Sequence, residues 1–133
     1  IDIPVLTAET EGAASFAASV EAGHLVTLEK ITSIATTLGA RTVASEALAW
    51  THRHLIMPWT VSDRAVVDAC VQFADDHRVL VEPACGAALS AIYNRASLLD
   101  GLKRVMVIVC GGAGVSLSLL REWDRRVGAK HST

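Results

Sequence analysis

The chain of 133 residues has the length of one domain, and 51% of its residues are hydrophobic while 20% are charged. This composition excludes an intrinsically disordered chain, and a formal net charge of −2 offers no electrostatic basis for binding nucleic acid or an anionic membrane surface. No stretch holds the roughly 20 uninterrupted apolar residues that a membrane span requires. Three cysteines at wide spacing do not make a disulfide framework and favour a reducing, cytoplasmic compartment.

Short apolar runs alternate with segments of helical periodicity along the whole chain. The predicted elements are a strand at 3–8, a helix at 13–22, a helical turn at 33–38, a helix at 44–53, a strand at 55–61, a helix at 65–75, a very short strand at 79–81, a helix at 84–93, a strand at 105–110 and a helix at 116–127. Gly23 and Ser62 are expected to cap helices, and Pro58 favours an edge position for its strand. This order predicts an α/β fold with right-handed crossovers.

The stretch KRVMVIVCGGAG at 103–114 contains the clearest candidate for a binding site. Six consecutive apolar or sulfur-bearing residues at 105–110 predict a strand buried on both faces, as in a parallel sheet covered by helices. The glycines after it let the backbone turn sharply at the carboxyl end of the strand, where ligands bind in open α/β sheets. Cys110 therefore either points its sulfur into a ligand crevice or is a small buried residue before a tight turn.

The remaining candidates have structural interpretations. Cys70 and Cys85 lie in predicted helices with apolar or small neighbours, and both are expected to be packed. Gly86 costs its helix about 1 kcal/mol relative to Ala, which is easier to understand if another backbone or a ligand presses against that face. The charged run at 75–78 is expected to be a solvated helix end. The turn at 111–114 lacks the spacing of a dinucleotide-binding fingerprint.

Four stretches carry a resemblance to a known family. They are ETEGAASF at 9–16, AGHLVTLEKITSIATTLGARTV at 22–43, VLVEPACGAALSAIY at 79–93 and VIVCGG at 107–112. In this order they resemble the C-terminal part of the serine dehydratase (serine/threonine ammonia-lyase) family, pyridoxal-phosphate enzymes of the tryptophan-synthase-β-like fold. The resemblance implies a three-layer parallel-sheet sandwich, in which residues 1–133 form the C-terminal portion of the large domain of a fold-type II enzyme.

The resemblance also implies a set of cofactor-binding residues. Cys110 would face the pyridine nitrogen of pyridoxal 5'-phosphate, with Gly111 beside it. A thiol does not hold that nitrogen protonated as a carboxylate would, which moderates the electron sink and suits β-elimination of water. Thr37 stands where family members place a small residue against the cofactor ring, and a Thr instead of an Ala is a departure from the family pattern.

A cation site is implied in the same way. The carboxylate of Glu9 and the side chain of Ser15, with the backbone carbonyls of Ala13, Leu38 and Ala40, resemble the family's oxygen cage for a monovalent cation, usually potassium. Mostly neutral oxygens with one carboxylate suit a large, singly charged hard cation. Without the resemblance, Glu9 is a turn carboxylate.

The family's Schiff-base lysine, in a Ser-x-Lys-x-Arg-Gly setting, and its glycine-rich phosphate loop would lie N-terminal to everything present here. Lys30, Lys103 and Lys130 are each expected to have a surface role, so no catalytic residue is assigned. No signal peptide is visible. The chain begins with Ile1 rather than Met and its first residues already resemble a strand, which indicates a fragment, a processed chain or an artificially trimmed chain. We expect it to be active only with an N-terminal partner chain or fragment of the same enzyme.

Three hypotheses about function follow. In the first, the complete enzyme is a homodimer that converts L-serine or L-threonine to a 2-oxo acid and ammonia. In the second, the chain is a non-catalytic binding module that keeps the sheet and forms a homo-oligomer through its small-residue helix faces. In the third, it is part of a related pyridoxal-phosphate lyase that acts on another amino acid.

Overall fold

The computed structural model of the protein describes residues 3–129 and confirms the α/β fold. Its elements, in chain order, are β1 (Val5–Thr10), α1 (Ser15–Ala22), α2 (Ser45–Trp50), β2 (Ile56–Val61), α3 (Asp63–His77), α4 (Pro83–Tyr93) and α5 (Leu117–Ala129). Short 3₁₀ turns occur at Glu11–Ala13 and Ser97–Leu99. Within residues 3–129, no helix has both the length and the apolar character needed to cross a membrane.

The two strands form a parallel pair, in register from Val5 opposite Ile56 to Thr10 opposite Val61. Parallel strands need a crossover connection, and residues 11–55 with α1 and α2 provide it. Pro58 lies opposite Thr7 in β2, which has no second strand beside it in the described part of the chain. The expected edge position of this proline is therefore confirmed.

Helices lie on both faces of the sheet. Ala8 and Trp59, which are opposite each other in the register, pack with Val66 of α3 and Ala87 of α4. Because side chains alternate along a strand, Glu9 points to the other face, and there its carboxylate bonds to the first turn of α1. The sheet thus lies between two layers of helix, as the three-layer interpretation requires.

Most of the hydrophobic core lies between α3, α4 and α5. Its buried members are Ile34, Val67, Ala69, Cys70, Val81, Cys85, Leu89, Leu120 and Val127. A Cβ atom on Gly86 would lie 2.5 Å from the carbonyl oxygen of Val66, so α3 and α4 approach each other at a point where only glycine fits. The expectation that another backbone presses on Gly86 is confirmed.

The expected capping residues are also confirmed. The side chain of Ser62 accepts a hydrogen bond of 3.3 Å from the backbone N–H of Ala65 and so caps α3. Gly23 ends α1 with a φ of 70°, the left-handed conformation that glycine adopts without a steric penalty. The prediction that Glu9 lies in a turn after the first strand is wrong, because β1 continues through Glu9 to Thr10.

The predicted strands at 79–81 and 105–110 are wrong as paired elements. Neither is hydrogen-bonded into the sheet within the described residues, and the segment 105–110 is exposed except at Val107, which packs against the core, rather than buried on both faces. Met106 is 87% exposed and Ile108 is 67% exposed. An apolar extended segment becomes a buried parallel strand only when strands flank it and helices cover it, and residues 3–129 do not supply those neighbours.

Candidate cofactor site

Residues 104–110 form an extended segment. Cys110 lies at its carboxyl end, beside the first turn of α4, and it is exposed. Its sulfur is 3.5 Å from the sulfur of Cys85, a buried residue of that turn. The backbone N–H of Gly111 donates to the Cys85 sulfur at 3.3 Å, and the Cys85 thiol donates to the Gly111 carbonyl at 3.1 Å. Cys85 therefore holds the backbone that follows Cys110.

The two glycines after Cys110 serve different purposes. A Cβ atom on Gly112 would collide with the carbonyl oxygen of Leu80, so packing requires glycine at that position. A Cβ atom on Gly111 would meet no atom within 4 Å. The space in front of Gly111 is therefore open among the described residues, as a cofactor-binding position needs.

Glu82 links Thr37 to this turn. The hydroxyl of Thr37 donates a hydrogen bond of 3.2 Å to the Glu82 carboxylate, and the Glu82 backbone N–H donates to the Gly111 carbonyl at 3.3 Å. Thr37 is exposed, as Cys110 and Gly111 are. The structure thus brings the three predicted cofactor-binding residues to one region, although more than 70 residues of sequence separate the first from the others.

Sequence reasoning missed the roles of two residues in this region. The sequence predicts only a packing role for Cys85, and it gives Glu82 no role at the site. Both residues lie at the start of a helix, where small residues and carboxylates are common. Cys85 and Cys110 are 25 residues apart in the sequence, and Thr37 and Glu82 are 45 residues apart. Contacts between such distant residues leave no local sequence pattern that could reveal them.

Burial distinguishes the three thiols. Desolvation raises the pKa of Cys70 to about 12, and this thiol points at the Glu82 carbonyl 3.6 Å away. Burial also raises the pKa of Cys85, an effect that its bond with Gly111 opposes. Cys70 is therefore a core residue, as predicted, while Cys110 is the thiol that solvent or a ligand can reach.

Glu9, the predicted cation ligand, caps a helix. Its two carboxylate oxygens accept hydrogen bonds from the backbone N–H groups of Phe16 at 3.0 Å and Ala17 at 2.9 Å. A carboxylate at a helix N-terminus satisfies orphan donors and interacts favourably with the helix dipole. Ala13 and Ser15, also predicted ligands, are buried in the same turn.

Leu38 and Ala40 lie on the loop that packs against this turn. The backbone N–H of Thr32 donates to the Gly12 carbonyl at 3.0 Å, which joins the loop to the β1–α1 connection. The Leu38 carbonyl accepts a hydrogen bond of 3.0 Å from the Ala40 N–H, and Ala40 is exposed. The two segments with the predicted cation ligands therefore lie side by side, and the carbonyl of Leu38 already has one donor.

Of the lysines expected at the surface, Lys30 and Lys103 are exposed, and Lys130 lies outside the described residues. Neither of the described lysines makes a hydrogen bond or an ion pair within residues 3–129. The surface role predicted for Lys30 and Lys103 is confirmed.

An apolar groove of about 380 Å³ separates β1 from the extended segment, and α4 forms its floor. Its walls are residues 3–6 of the β1 side and residues 104–108 of the extended segment. The floor includes Ala88, Ala91 and Ile92 from the C-terminal half of α4. We call this cavity the β1 groove.

Comparisons with known proteins identify similar enzymes. L-serine dehydratase/L-threonine deaminase from Bos taurus is 46% identical over 96% of this chain, which covers 41% of that relative. A fungal L-serine ammonia-lyase from Rhizomucor miehei superposes with a TM-score of 0.85 at 40% identity, over 94% of this chain and 41% of that chain. Maize serine racemase superposes with a TM-score of 0.77 at 28% identity, over 94% of this chain and 40% of that chain.

These comparisons show the family of the chain and how much of a family member the chain spans. The chain spans about two-fifths of the length of the relatives it matches, and its matches have the fold-type II architecture. The profile of the family described as pyridoxal-phosphate dependent enzyme matches residues 1–111. Since this match covers most of the chain, the chain belongs to the pyridoxal-phosphate dependent enzyme family.

Proposed function

We propose that this chain is the C-terminal part of an ammonia-lyase that converts L-serine or L-threonine to a 2-oxo acid and ammonia. The observation that carries the proposal is the position of Cys110, an exposed thiol at the end of an extended segment, beside open space at Gly111. The names of the Bos taurus and Rhizomucor miehei relatives support the same reaction.

The residues present fit pyridoxal phosphate. When bound, this cofactor supplies an electron sink for reactions at the substrate α-carbon. Cys110 would place its thiol beside the ring nitrogen without holding it protonated, and Thr37 would pack against the ring. Glu82 bonds to both Thr37 and the Gly111 backbone, so these residues would orient the ring rather than transfer protons.

We propose that the β1 groove is covered in the complete enzyme by its N-terminal portion. The first turn of α4 contacts Cys110, and the C-terminal half of α4 lies under both Val105 and β1. The extended segment therefore runs opposite to α4. The first residues of β1 line the groove with the C-terminal half of α4, whereas Ala8, further along β1, packs with Ala87, so β1 also runs opposite to α4 and parallel to the extended segment. A strand between them would use the unpaired backbone of both and would bury Met106 and Ile108.

We also propose the monovalent cation site. Each carboxylate oxygen of Glu9 accepts one N–H and keeps a further lone pair, which suits a shared role in helix capping and cation binding. Ala13, Ser15, Leu38 and Ala40 would complete an oxygen cage with potassium as the occupant. A cation there would fix the loop that carries Thr37.

The test compares this chain alone with the same chain joined to, or coexpressed with, its N-terminal portion. Both preparations receive pyridoxal phosphate, and 2-oxo acid formation is measured with L-serine, L-threonine and D-serine. We expect activity on L-serine or L-threonine from the complete protein and none from the chain alone. Activity of the chain alone would refute the requirement for an N-terminal portion, and turnover of D-serine only would favour a related enzyme.

A further inference from the structure

The thiols of Cys85 and Cys110 form a contact pair with unequal access to solvent. Their sulfur atoms are 3.5 Å apart, and Cys110 is exposed while Cys85 is buried. The third cysteine, Cys70, is buried and bonds to the carbonyl of Glu82 instead. One thiol is therefore open to a small oxidant, and only one other thiol, Cys85, contacts it.

We propose that Cys85 and Cys110 are a thiol modification site that hydrogen peroxide converts to an intramolecular disulfide. Peroxide oxidises the sulfur of Cys110 to a sulfenic acid and is itself reduced to water. The sulfur of Cys85 then attacks the sulfur of Cys110, so that the S–S bond forms and the S–O bond breaks. The leaving hydroxide takes the Cys85 thiol proton, which makes a second molecule of water.

The geometry favours this second step over further oxidation. The attack of Cys85 takes place inside the protein, so its burial does not prevent it. The sulfur atoms have to approach from 3.5 Å to about 2.05 Å, the usual disulfide bond length. Cys110 is exposed and lies beyond residues 104–108, which line the β1 groove, so it can move toward Cys85 without displacing that part of the segment.

The disulfide would also change the cofactor site. It removes the thiol that donates from Cys85 to the Gly111 carbonyl, and it draws Cys110 toward α4. Loss of lyase activity on oxidation rests on the proposed function, because it requires Cys110 to lie beside the cofactor ring. Formation of the disulfide does not rest on it.

The experiment treats the complete, cofactor-free protein with hydrogen peroxide, blocks the remaining thiols, and maps tryptic peptides without reduction. Trypsin separates the three cysteines, because peptides 65–78, 79–95 and 105–121 each contain one. We expect peptides 79–95 and 105–121 to be joined in the wild-type protein and in Cys70→Ser. In Cys85→Ser we expect no joined peptide and Cys110 recovered as sulfinic or sulfonic acid.

Two results would overturn the proposal. One is over-oxidation of Cys110 in the wild-type protein at the rate seen in Cys85→Ser, without a joined peptide. The other is a joined peptide that contains Cys70. If Cys85→Ser does not fold, phenylarsine oxide provides a second measurement on the wild-type protein, since trivalent arsenic binds two neighbouring thiols. It should consume two thiols per arsenic atom in the wild type and none in Cys110→Ser.

Saturation with pyridoxal phosphate before the addition of peroxide separates the two proposals. We expect the bound cofactor to slow formation of the joined peptide severalfold, because it covers Cys110. A joined peptide that forms at the same rate with and without cofactor would contradict the cofactor-binding role of Cys110 while leaving the disulfide confirmed. Absence of the joined peptide in an active lyase would contradict the disulfide alone.

Discussion

The hydroxyl of Thr37 donates a hydrogen bond of 3.2 Å to the carboxylate of Glu82, a residue that also holds the Gly111 carbonyl through its backbone. Thr37→Val should therefore weaken pyridoxal phosphate binding by about fivefold, the effect of losing a bond of ~1 kcal/mol. Because Thr37 is exposed, the free energy of unfolding should change little. A cofactor titration followed by absorbance measures the effect. Thr36→Val is the control, since the Thr36 side chain makes no hydrogen bond within residues 3–129; equal effects of both substitutions would contradict the prediction.

Gly86 and Gly128 are glycines within helices but have different surroundings. A Cβ atom on Gly86 would lie 2.5 Å from the Val66 carbonyl, whereas one on Gly128 would meet only a flexible arginine atom at 3.7 Å. Gly86→Ala should lower the free energy of unfolding by about 1–3 kcal/mol, because overpacking exceeds the gain in helix propensity. Gly128→Ala should leave it unchanged or raise it by up to about 1 kcal/mol. Urea denaturation of the complete protein tests both, and a stabilised Gly86→Ala variant would disprove the close approach of α3 and α4.

Glu9 caps α1 through both carboxylate oxygens. Glu9→Gln replaces one of those acceptors with an NH₂ group, which should cost about 1 kcal/mol of stability. If Glu9 is also a cation ligand, the same substitution should weaken the activation of the complete enzyme by potassium relative to sodium. Glu11→Gln provides a matched control at an exposed glutamate that makes no hydrogen bond in the described region. Unchanged potassium dependence in Glu9→Gln would remove Glu9 from the cation site and leave it as a helix cap.

The buried thiol of Cys70 should make the free energy of unfolding depend on pH in the alkaline range. Burial raises the pKa of this thiol from 9.0 to about 12, so the native state keeps the proton to a higher pH than the unfolded state does. The resulting stabilisation is complete below pH 9 and is lost as the pH rises through 12. We expect the free energy of unfolding to fall more steeply over this range in the wild-type protein than in Cys70→Ala. Denaturation curves between pH 8 and pH 11 measure the difference, and parallel pH profiles would show that Cys70 does not contribute.

Ile108 tests whether the β1 groove is covered in the complete protein. It is 67% exposed within the described residues, and Leu55, which lies outside the groove, is 58% exposed. If an N-terminal portion buries Ile108, Ile108→Asp places an unpaired carboxylate in an apolar interface and should destabilise the complete protein by about 2–3 kcal/mol. Leu55→Asp should change its stability by less than about 0.5 kcal/mol. Thermal denaturation compares the two variants, and an equally small effect of both would show that the groove stays open.

Local patterns were sufficient for much of the fold. Ser62 and Gly23 identified helix ends because capping depends on the residue itself and its immediate neighbours. The cost of a glycine within a helix indicated the tight contact at Gly86, and an apolar run ending in glycines indicated Cys110 as the candidate ligand residue. Each of these features is encoded within about ten residues, so the sequence could reveal it.

Tertiary structure alone decided which distant residues meet and which faces are covered. The contacts from Cys85 to Cys110 and from Thr37 to Glu82 exist because α4 begins beside both the glycine turn and the 33–40 loop, and no periodicity along the chain records that arrangement. The segment 105–110 has the composition of a buried strand, yet burial is a property of the neighbours that surround a segment. Since residues 3–129 leave Met106 and Ile108 exposed, the sequence determined the apolar character of this segment, and only the tertiary structure showed that the described residues do not cover it.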